Sequence, residues 1–449
     1  MTDLDTPTAL PTTGLPSTAP RAIRSVRVEV VTGPDAGACL RGAAERIVIG
    51  THRTADLVLT DRTVSRFHVE LEITGDAVHL RDLGSRNGTL LDGVELEAAR
   101  LRGPTIVSIG QSELRIDLLG DTVTLELAPQ ERFGALVGAS PVMRLAFARL
   151  HGAALRDGHV LIEGERGTGK DTAAAALHEL GTRKDGPLDV IDCGMPALEV
   201  EALLFGRGDF PRSPAFAGSL HHGASVLERC HGGTLILDDV GGLARNTQRV
   251  LVRALEERSV RRLHGGDPYP ADVRVIALSR RNLRVDVNSD RFAPDLFEVL
   301  AATRIRIPPL RERPEDVPLL IARVLGELEA TGTAAAAELQ TPESLEQLRG
   351  AAWPGNVREL RAHVEATVAA NGTPAADAHT VPLVDGSLPL REARDRWVRY
   401  FERTYVAELL VRTSGNVSAA AALAGVDRVY MHRMVTRAGL REKLSRDRK

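Results

Sequence analysis

Lysine is nearly missing from this chain. Four occur in 449 residues, at Lys170, Lys184, Lys443 and Lys449, and arginine carries almost all other positive charge. A lysine inside a structured motif therefore calls for a reason. Aromatic residues make up only 3% of the sequence, so its cores must be built from Leu, Val, Ile and Ala. Cysteine is scarce as well. Cys39, Cys193 and Cys230 are odd in number and widely spaced, which excludes a disulfide framework and points to a reducing, cytoplasmic compartment. No apolar run approaches the length of a membrane span, so no membrane role is expected. The opening "MTDLDTPTALPTTGLPSTAP" has neither the basic nor the apolar region of a signal peptide. Its Thr and Pro content predicts a disordered leader over 1–21.

What is present suggests about three domains. Over 22–120, short apolar–polar alternations ("SVRVEVV", "RIVIG", "HVELEI", "ELRIDLL") are separated by turn residues, a pattern that predicts an all-β sandwich. A linker is expected over 121–136. From 137 to 308 strands alternate with helices, as in a parallel α/β sheet, and 309–370 reads as helical. A Pro-, Gly- and Ala-rich linker follows over 371–389. The tail, 390–449, reads as all helical. From Arg391 onward it holds 14 Lys and Arg against 7 Asp and Glu, a net charge of +7 on a chain whose total is −3. A basic tail on an acidic body points to a nucleic-acid partner.

The best-defined chemistry lies in "HVLIEGERGTGKD". A predicted strand leads into Gly164, Glu165, Arg166, Gly167, Thr168, Gly169, Lys170 and Asp171, and a helix follows. Glycines allow a compact turn whose backbone N–H groups face phosphates, and Lys170 would bridge the outer ones. The helix N-terminus favours the same anion. Asp171 stands where such loops usually carry Ser or Thr. Downstream, "GGTLILDDVG" is an apolar strand ending in Asp238 and Asp239, placed to hold Mg²⁺ and to orient a water.

The order of "LVGASPVMRLAFARL", "VLIEGERGTGKDTAAAALHEL", "LLFG", "GGTLILDDVG", "RIRIPPLRERPEDVPLL" and "WPGNVREL" resembles the AAA+ domain of sigma-54-dependent enhancer-binding regulators over residues 137–370. The resemblance implies ATP and Mg²⁺ as cofactors, Lys170 as phosphate ligand and Asp238 as Mg²⁺-site acid. It makes Asp239 a shortened counterpart of the water-orienting Glu, and Arg358 the sensor of the lid. An acid at Asp171 is common in that family.

Four departures bear on activity. Ala293 and Val299, in "FAPDLFEVL", occupy positions where the family carries arginines that reach the neighbouring subunit's γ-phosphate. Such fingers are worth roughly 10³-fold or more in rate. Arg280 replaces the sensor Asn. Asp239 would shift its water by about an ångström, a change that costs on the order of 100-fold. In the loop that engages the sigma factor, "PAFAGS" keeps Phe216 and Gly218 but has Ala217 where the family has Thr.

Two further resemblances flank this core. "VIGTHRTADLVLTDRTVSRFHVEL" and "LRDLGSRNGTLLDG" resemble a forkhead-associated (FHA) domain, a phosphothreonine reader. Ser65 and Arg66 would contact phosphate, with His68 supporting them, and Asn87 would hold the peptide backbone. Arg53 would stand in for an arginine absent at Thr51. "TSGNVSAAAALAGVDRVYMHRMVTRAGL" resembles the Fis-type helix-turn-helix that ends such regulators. There Met431, Val435 and Ala438 would face the core, and Arg428, Tyr430, Arg433 and Arg437 would face duplex DNA.

The expected architecture is an FHA sandwich, an AAA+ P-loop domain with helical lid, and an all-α DNA-binding domain. The expected function is a cytoplasmic transcription regulator. It would sense a phosphothreonine protein, bind ATP through a degenerate core, hydrolyse it weakly or not at all, and assemble as a dimer or ring. One alternative is a working ATPase that remodels sigma-54 RNA polymerase. Another is a phosphopeptide scaffold with a vestigial core.

Overall fold

The computed structural model describes residues 21–370, apart from 43–44, 76, 207–224 and 264–266, and beyond them 405–406, 409–410, 413, 416–426, 431 and 434–435. The chain forms two compact units, Met1–Glu365 and Ala366–Lys449. Among the described residues no helix is long and apolar enough to cross a membrane.

The first unit opens with a β-sandwich. One sheet contains β1 (Arg21–Thr32), β2 (Cys39–Gly42), β7 (Thr89–Leu91), β8 (Val94–Leu96), β10 (Thr105–Ile109) and β11 (Ser112–Leu125), in the order β2-β1-β11-β10-β7-β8. The other contains β3 (Arg46–Gly50), β4 (Leu57–Val58), β5 (Val69–Thr74), β6 (Ala77–Asp82) and β9 (Ala98–Leu101), in the order β4-β3-β5-β6-β9. The period-2 alternation of each strand fills the space between them with Val26, Val28, Val30, Ile47, Ile49, Leu71, Ile73, Ile109 and Leu114. On β5 the inward set is Val69, Leu71 and Ile73, so Glu70 and Glu72 project to the opposite face.

The segment expected as a linker over 121–136 is largely built into the structure. Strand β11 runs on to Leu125 because Arg21–Arg24 pair with Thr122–Leu125. The pair β12 (Arg132–Phe133) and β13 (Leu136–Val137) follows. Ala128, Phe133 and Leu136 are buried with Met143, Phe147 and Leu150 of α1 (Pro141–Ala154). These apolar side chains recruit the segment into the next domain's core.

That domain carries a parallel five-stranded sheet. Its strands are β14 (Val160–Glu163), β15 (Leu188–Asp192), β16 (Thr234–Asp238), β19 (Arg274–Ser279) and β20 (Thr303–Arg306), in the order β15-β16-β19-β14-β20. A small antiparallel pair, β17 (Ser259–Val260) and β18 (Tyr269–Pro270), lies outside it. Strands β14 and β19 are buried at every position, as helices on both faces require. The surrounding helices are α2 (Lys170–Glu179), α3 (Ala197–Phe205), α4 (Val226–Arg229), α5 (Arg245–Glu257), α6 (Leu283–Asn288) and α7 (Pro294–Leu300). Because β16, β19 and β14 are neighbours in one parallel register, their C-terminal ends bring Asp238, Arg280 and the loop after Glu163 to one edge. The lid has α8 (Val317–Glu327), α9 (Ala334–Leu339), α10 (Pro342–Gly350) and α11 (Asn356–Ala369). Thr333 and Thr341 cap α9 and α10 through bonds from Ala336 N and Ser344 N.

In the second unit, α12 (Val417–Ala424) is followed by Gly425 at φ +67°. The sequence suggests Ser418 as its cap, but the helix starts earlier and Ala419 N donates to Asn416 Oδ1 at 3.1 Å. Met431 and Val435 are buried with Val406, Leu409, Leu410, Ala420, Ala421 and Met434. Ala438 lies outside the described residues.

Candidate functional site

The loop between β14 and α2 has the shape its glycines permit. Gly167 and Gly169 adopt φ of +78° and +104°, and Lys170 begins α2 directly after Gly169. A Cβ on Gly167 would sit 2.2 Å from Gly355 O, so this position tolerates only glycine while the lid is packed against it. Lys170 is buried, and its Nζ donates to Glu165 O at 2.8 Å. Burial lowers its pKa, against the opposing pull of Asp171 and Asp238. Thr168 Oγ1 donates to Glu165 O at 2.9 Å.

The lid and the segment before it hold this loop through residues to which the sequence reading assigned no role. Arg311 forms a forked pair with Glu165 at 2.8 and 2.6 Å. Asn356 donates to Arg166 O at 3.0 Å, and Val357 N donates to Gly167 O at 3.0 Å. The buried Arg313 donates to Thr168 O at 3.0 Å. The signal was available in "PPLRERPED" and "WPGNV", which lie far along the sequence from the loop they clamp. Arg358 is exposed on α11, and its Cβ lies 3.2 Å from where a Gly167 Cβ would be.

Across the same edge, Asp238 ends β16 and Asp239 adopts φ +51°. Asp239 Oδ1 is buried with no hydrogen-bond partner among the described residues. The Arg280 guanidinium stands 3.9 Å from Asp238 Oδ2 and 3.7 Å from Asp239 Oδ2, between the two acids. Burial and the nearby Asp171 raise the Asp238 pKa, and Arg280 opposes them. Among the described residues no group of three or more His, Cys, Asp and Glu is arranged to hold a metal ion. One carboxylate plus nucleotide phosphates is a donor set that Mg²⁺ accepts, so this edge fits an ion that arrives with a nucleotide rather than a resident one.

The sandwich loops form a second candidate site. Gly50 is required because its Cβ would lie 2.1 Å from Arg66 O, where the end of β3 runs against the loop 65–66. Thr51 N and His52 N donate to Ser65 O and Arg66 O. Ser65 N donates to His68 Nδ1 at 3.1 Å, which leaves the His68 proton on Nε2, 3.1 Å from Gly88 O. Burial lowers the His68 pKa, consistent with the neutral ring. Ser65 Oγ accepts from Arg86 N at 2.9 Å, and Asn87 Nδ2 donates to Thr63 O at 2.8 Å. Ser65 and the Arg86–Asn87 turn are thus adjacent. Arg66 and Arg53, in contrast, reach outward to Asp290 and Glu298 of the α/β domain. Phe216, Gly218, Arg428, Tyr430, Arg433 and Arg437 lie outside the described residues.

Comparison with known proteins bears on each part. The family model described as the Sigma-54 interaction domain matches residues 136–306, and the AAA+ ATPase lid domain matches 311–384. Residues 29–118 match the cytoplasmic domain of an inner membrane component of T3SS. The transcriptional regulatory protein ZraR of Klebsiella oxytoca is 36% identical over 317 residues, which is 67% of this chain and 68% of ZraR. NtrX from Brucella abortus, crystallised in complex with ATP, is 30% identical over 69% of this chain and 70% of its own, with a TM-score of 0.45. A structure from a study of phosphothreonine-dependent FHA domain interactions is 27% identical over 22% of this chain and 99% of its own, with a TM-score of 0.20. With the Sigma-54 interaction domain and the AAA+ lid matched in this order, and a regulator 36% identical over 68% of its own length, the chain belongs to the family of sigma-54-dependent transcriptional regulators.

Proposed function

We propose that this regulator reads a phosphothreonine protein through its sandwich, binds ATP with Mg²⁺ at the loop Gly164–Asp171, turns the nucleotide over slowly, and finds duplex DNA through its tail. The observation that carries the slow core is Arg280 lying 3.7 Å from Asp239, the acid that would orient the water. A bound Mg²⁺ would neutralise phosphate charge. Lys170 and the loop N–H groups would hold the phosphates, and Asp238 would face the ion. Asp239 lacks the reach of a Glu, and its free oxygen is buried. Ala293 is buried and Val299 partly so, and neither side chain can donate to a γ-phosphate. Nucleotide then acts as a ligand that favours one assembly, dimer or ring, through differential affinity. Phe216 and Gly218 retain part of a contact with sigma-54 RNA polymerase.

The test is phosphate release measured across protein concentration, so that any ring can form. Turnover is expected to stay at or near background at the highest concentration while ATP remains bound. Brisk turnover that rises with concentration and vanishes in Asp239→Asn would replace this reading with that of a working remodeller.

DNA binding follows from the +7 tail. For a protein making roughly six to ten phosphate contacts, affinity falls on the order of 10³-fold or more between about 50 and 200 mM salt, because contacts release counterions. The full chain is expected to show such a steep dependence. Arg428→Ala and Arg433→Ala should relax sequence choice, whereas Arg437→Ala should weaken all duplexes alike. A salt-independent affinity, or Arg437→Ala altering sequence choice more than the other two, contradicts the assignment.

A further inference from the structure

We infer that helices α6 and α7 are a built-in ligand of the sandwich's phosphopeptide face, which an incoming phosphothreonine segment must displace. The inference rests on the phosphothreonine reading of that face.

The geometry comes from residues more than 200 positions apart. Arg66 Nη1 donates to Asp290 Oδ1 at 2.8 Å and to Val287 O at 2.9 Å. Arg53 Nε donates to Glu298 Oε2 at 2.7 Å. Both cations nominated for a phosphate are therefore held by carboxylates of one neighbouring element pair. Asn288 supplies the peptide-like part. Its Oδ1 accepts from Phe67 N at 3.1 Å, and its Nδ2 donates to Phe67 O and to Leu83 O. A side-chain amide thus pairs with the loop backbone as a bound segment's amide would.

Around these polar contacts the junction is apolar and buried. Phe67 is fully buried, edge-on to Phe297 at 5.2 Å and 5.3 Å below the Arg284 guanidinium. Val48, Phe67 and Leu83 share one apolar cluster with Leu283, Val287 and Phe297. Beside it, Glu70 and Glu72 on the outer face of β5 meet Arg284 at 3.4 Å, Arg304 at 3.9 Å and Arg306 at 3.8 Å. Arg149 meets Glu45 at 3.0 Å.

The acids resemble a phosphate in charge sign and acceptor type but fall short in strength. A carboxylate carries one charge, whereas phosphothreonine carries about −1.5 to −2 and offers three acceptor oxygens. The internal ligand has the advantage of tethering, which supplies an effective concentration in about the millimolar range. The Arg66–Asp290 pair is also the wet edge of the junction, with side chains 42% and 57% exposed, so a phosphate can reach Arg66 before the apolar part opens. Displacement then proceeds from Arg66 inward, and it uncovers α6 and α7.

The experiment uses the full chain and the double variant Asp290→Asn, Glu298→Gln. Asp290 adopts φ +53°, which Asn tolerates, and both substitutions preserve side-chain shape. Hydrogen exchange is followed at 65–67 and at 283–300. Anisotropy measures binding of a phosphothreonine peptide library against unphosphorylated twins. The expected result is exchange at least about tenfold faster at both segments in the variant, and about tenfold tighter phosphopeptide binding. Saturating phosphopeptide should also accelerate exchange at 283–300 in the wild type, and Arg66→Ala should abolish that response. Unchanged exchange in the variant and with peptide, or equal peptide affinity for wild type and variant, overturns the internal ligand. If exchange accelerates in the variant but no phosphorylated peptide outcompetes its twin, the contact is real and the phosphothreonine reading is what fails, taking the displacement with it.

Discussion

Lys170→Ala should lower ATP affinity by about 100-fold or more without destabilising the nucleotide-free protein. Lys170 begins α2 at the mouth of the loop, and its Nζ, 2.8 Å from Glu165 O, is the lone lysine ammonium of the phosphate loop in an arginine-rich chain. Charge-assisted hydrogen bonds are worth roughly 1.5–3 kcal/mol each, so losing two of them to the phosphates gives the expected factor. Stability should move the other way or not at all. Lys170 is buried and its pKa is lowered by that burial, so the folded state bears a desolvation cost that alanine removes. The neighbouring Asp171 and Asp238 offset part of this cost, which limits the gain. Titration calorimetry gives the affinity, and the thermal midpoint without nucleotide gives the stability. A variant that binds ATP within about threefold of wild type would show that the loop is not the phosphate site.

The parts legible in the sequence were those encoded locally. The period-2 runs fix the inward residues of the sandwich, Val69, Leu71 and Ile73 among them, because strand geometry leaves no other choice. The glycines of "GERGTGKD" specify the left-handed turns at Gly167 and Gly169, and the apolar strands on either side specify the parallel sheet. What escaped were relations between distant residues. Nothing near Arg53 or Arg66 announces Glu298 or Asp290, and a basic loop facing solvent reads the same as one facing an acid. Phe67 is an example in the core itself. Within "SRFHVEL" it lies two positions before Val69, in step with the inward set, so the local pattern sends it into the sandwich, yet it is buried instead against a second domain. The segment 121–136 was not legible for the related reason that Ala128, Phe133 and Leu136 are too sparse to form a periodic pattern, although all three are buried in one cluster with α1 and α2. The substitution at Arg280 could be seen in the sequence, but its position between two carboxylates could not.

That position gives the second large effect. In the wild type, ATP affinity should change by less than about threefold when Mg²⁺ is removed with EDTA. In Arg280→Asn, removal should weaken binding by about 30-fold. The reason is the charge at one sheet edge. Asp171, Asp238 and Asp239 all lie close enough to act on the Lys170 ammonium, and burial together with Asp171 already raises the Asp238 pKa. The Arg280 guanidinium, 3.9 and 3.7 Å from two of these acids, supplies a fixed cation there. At an effective dielectric of about 20, one such pair at ~4 Å corresponds to about 4 kcal/mol before solvent screening. Arg280 is 41% exposed, so screening reduces that figure substantially, and a net effect near half of it, about 2 kcal/mol, corresponds to about 30-fold in affinity. Without the guanidinium the acids repel the phosphates unless a divalent ion intervenes, so the variant becomes dependent on Mg²⁺. Titrations of wild type and Arg280→Asn with and without EDTA measure the coupling directly. Equal dependence on Mg²⁺ in the two proteins would mean that Arg280 swings clear of the acids on nucleotide binding and contributes no charge there. The slow turnover would then have to rest on Asp239, Ala293 and Val299 alone.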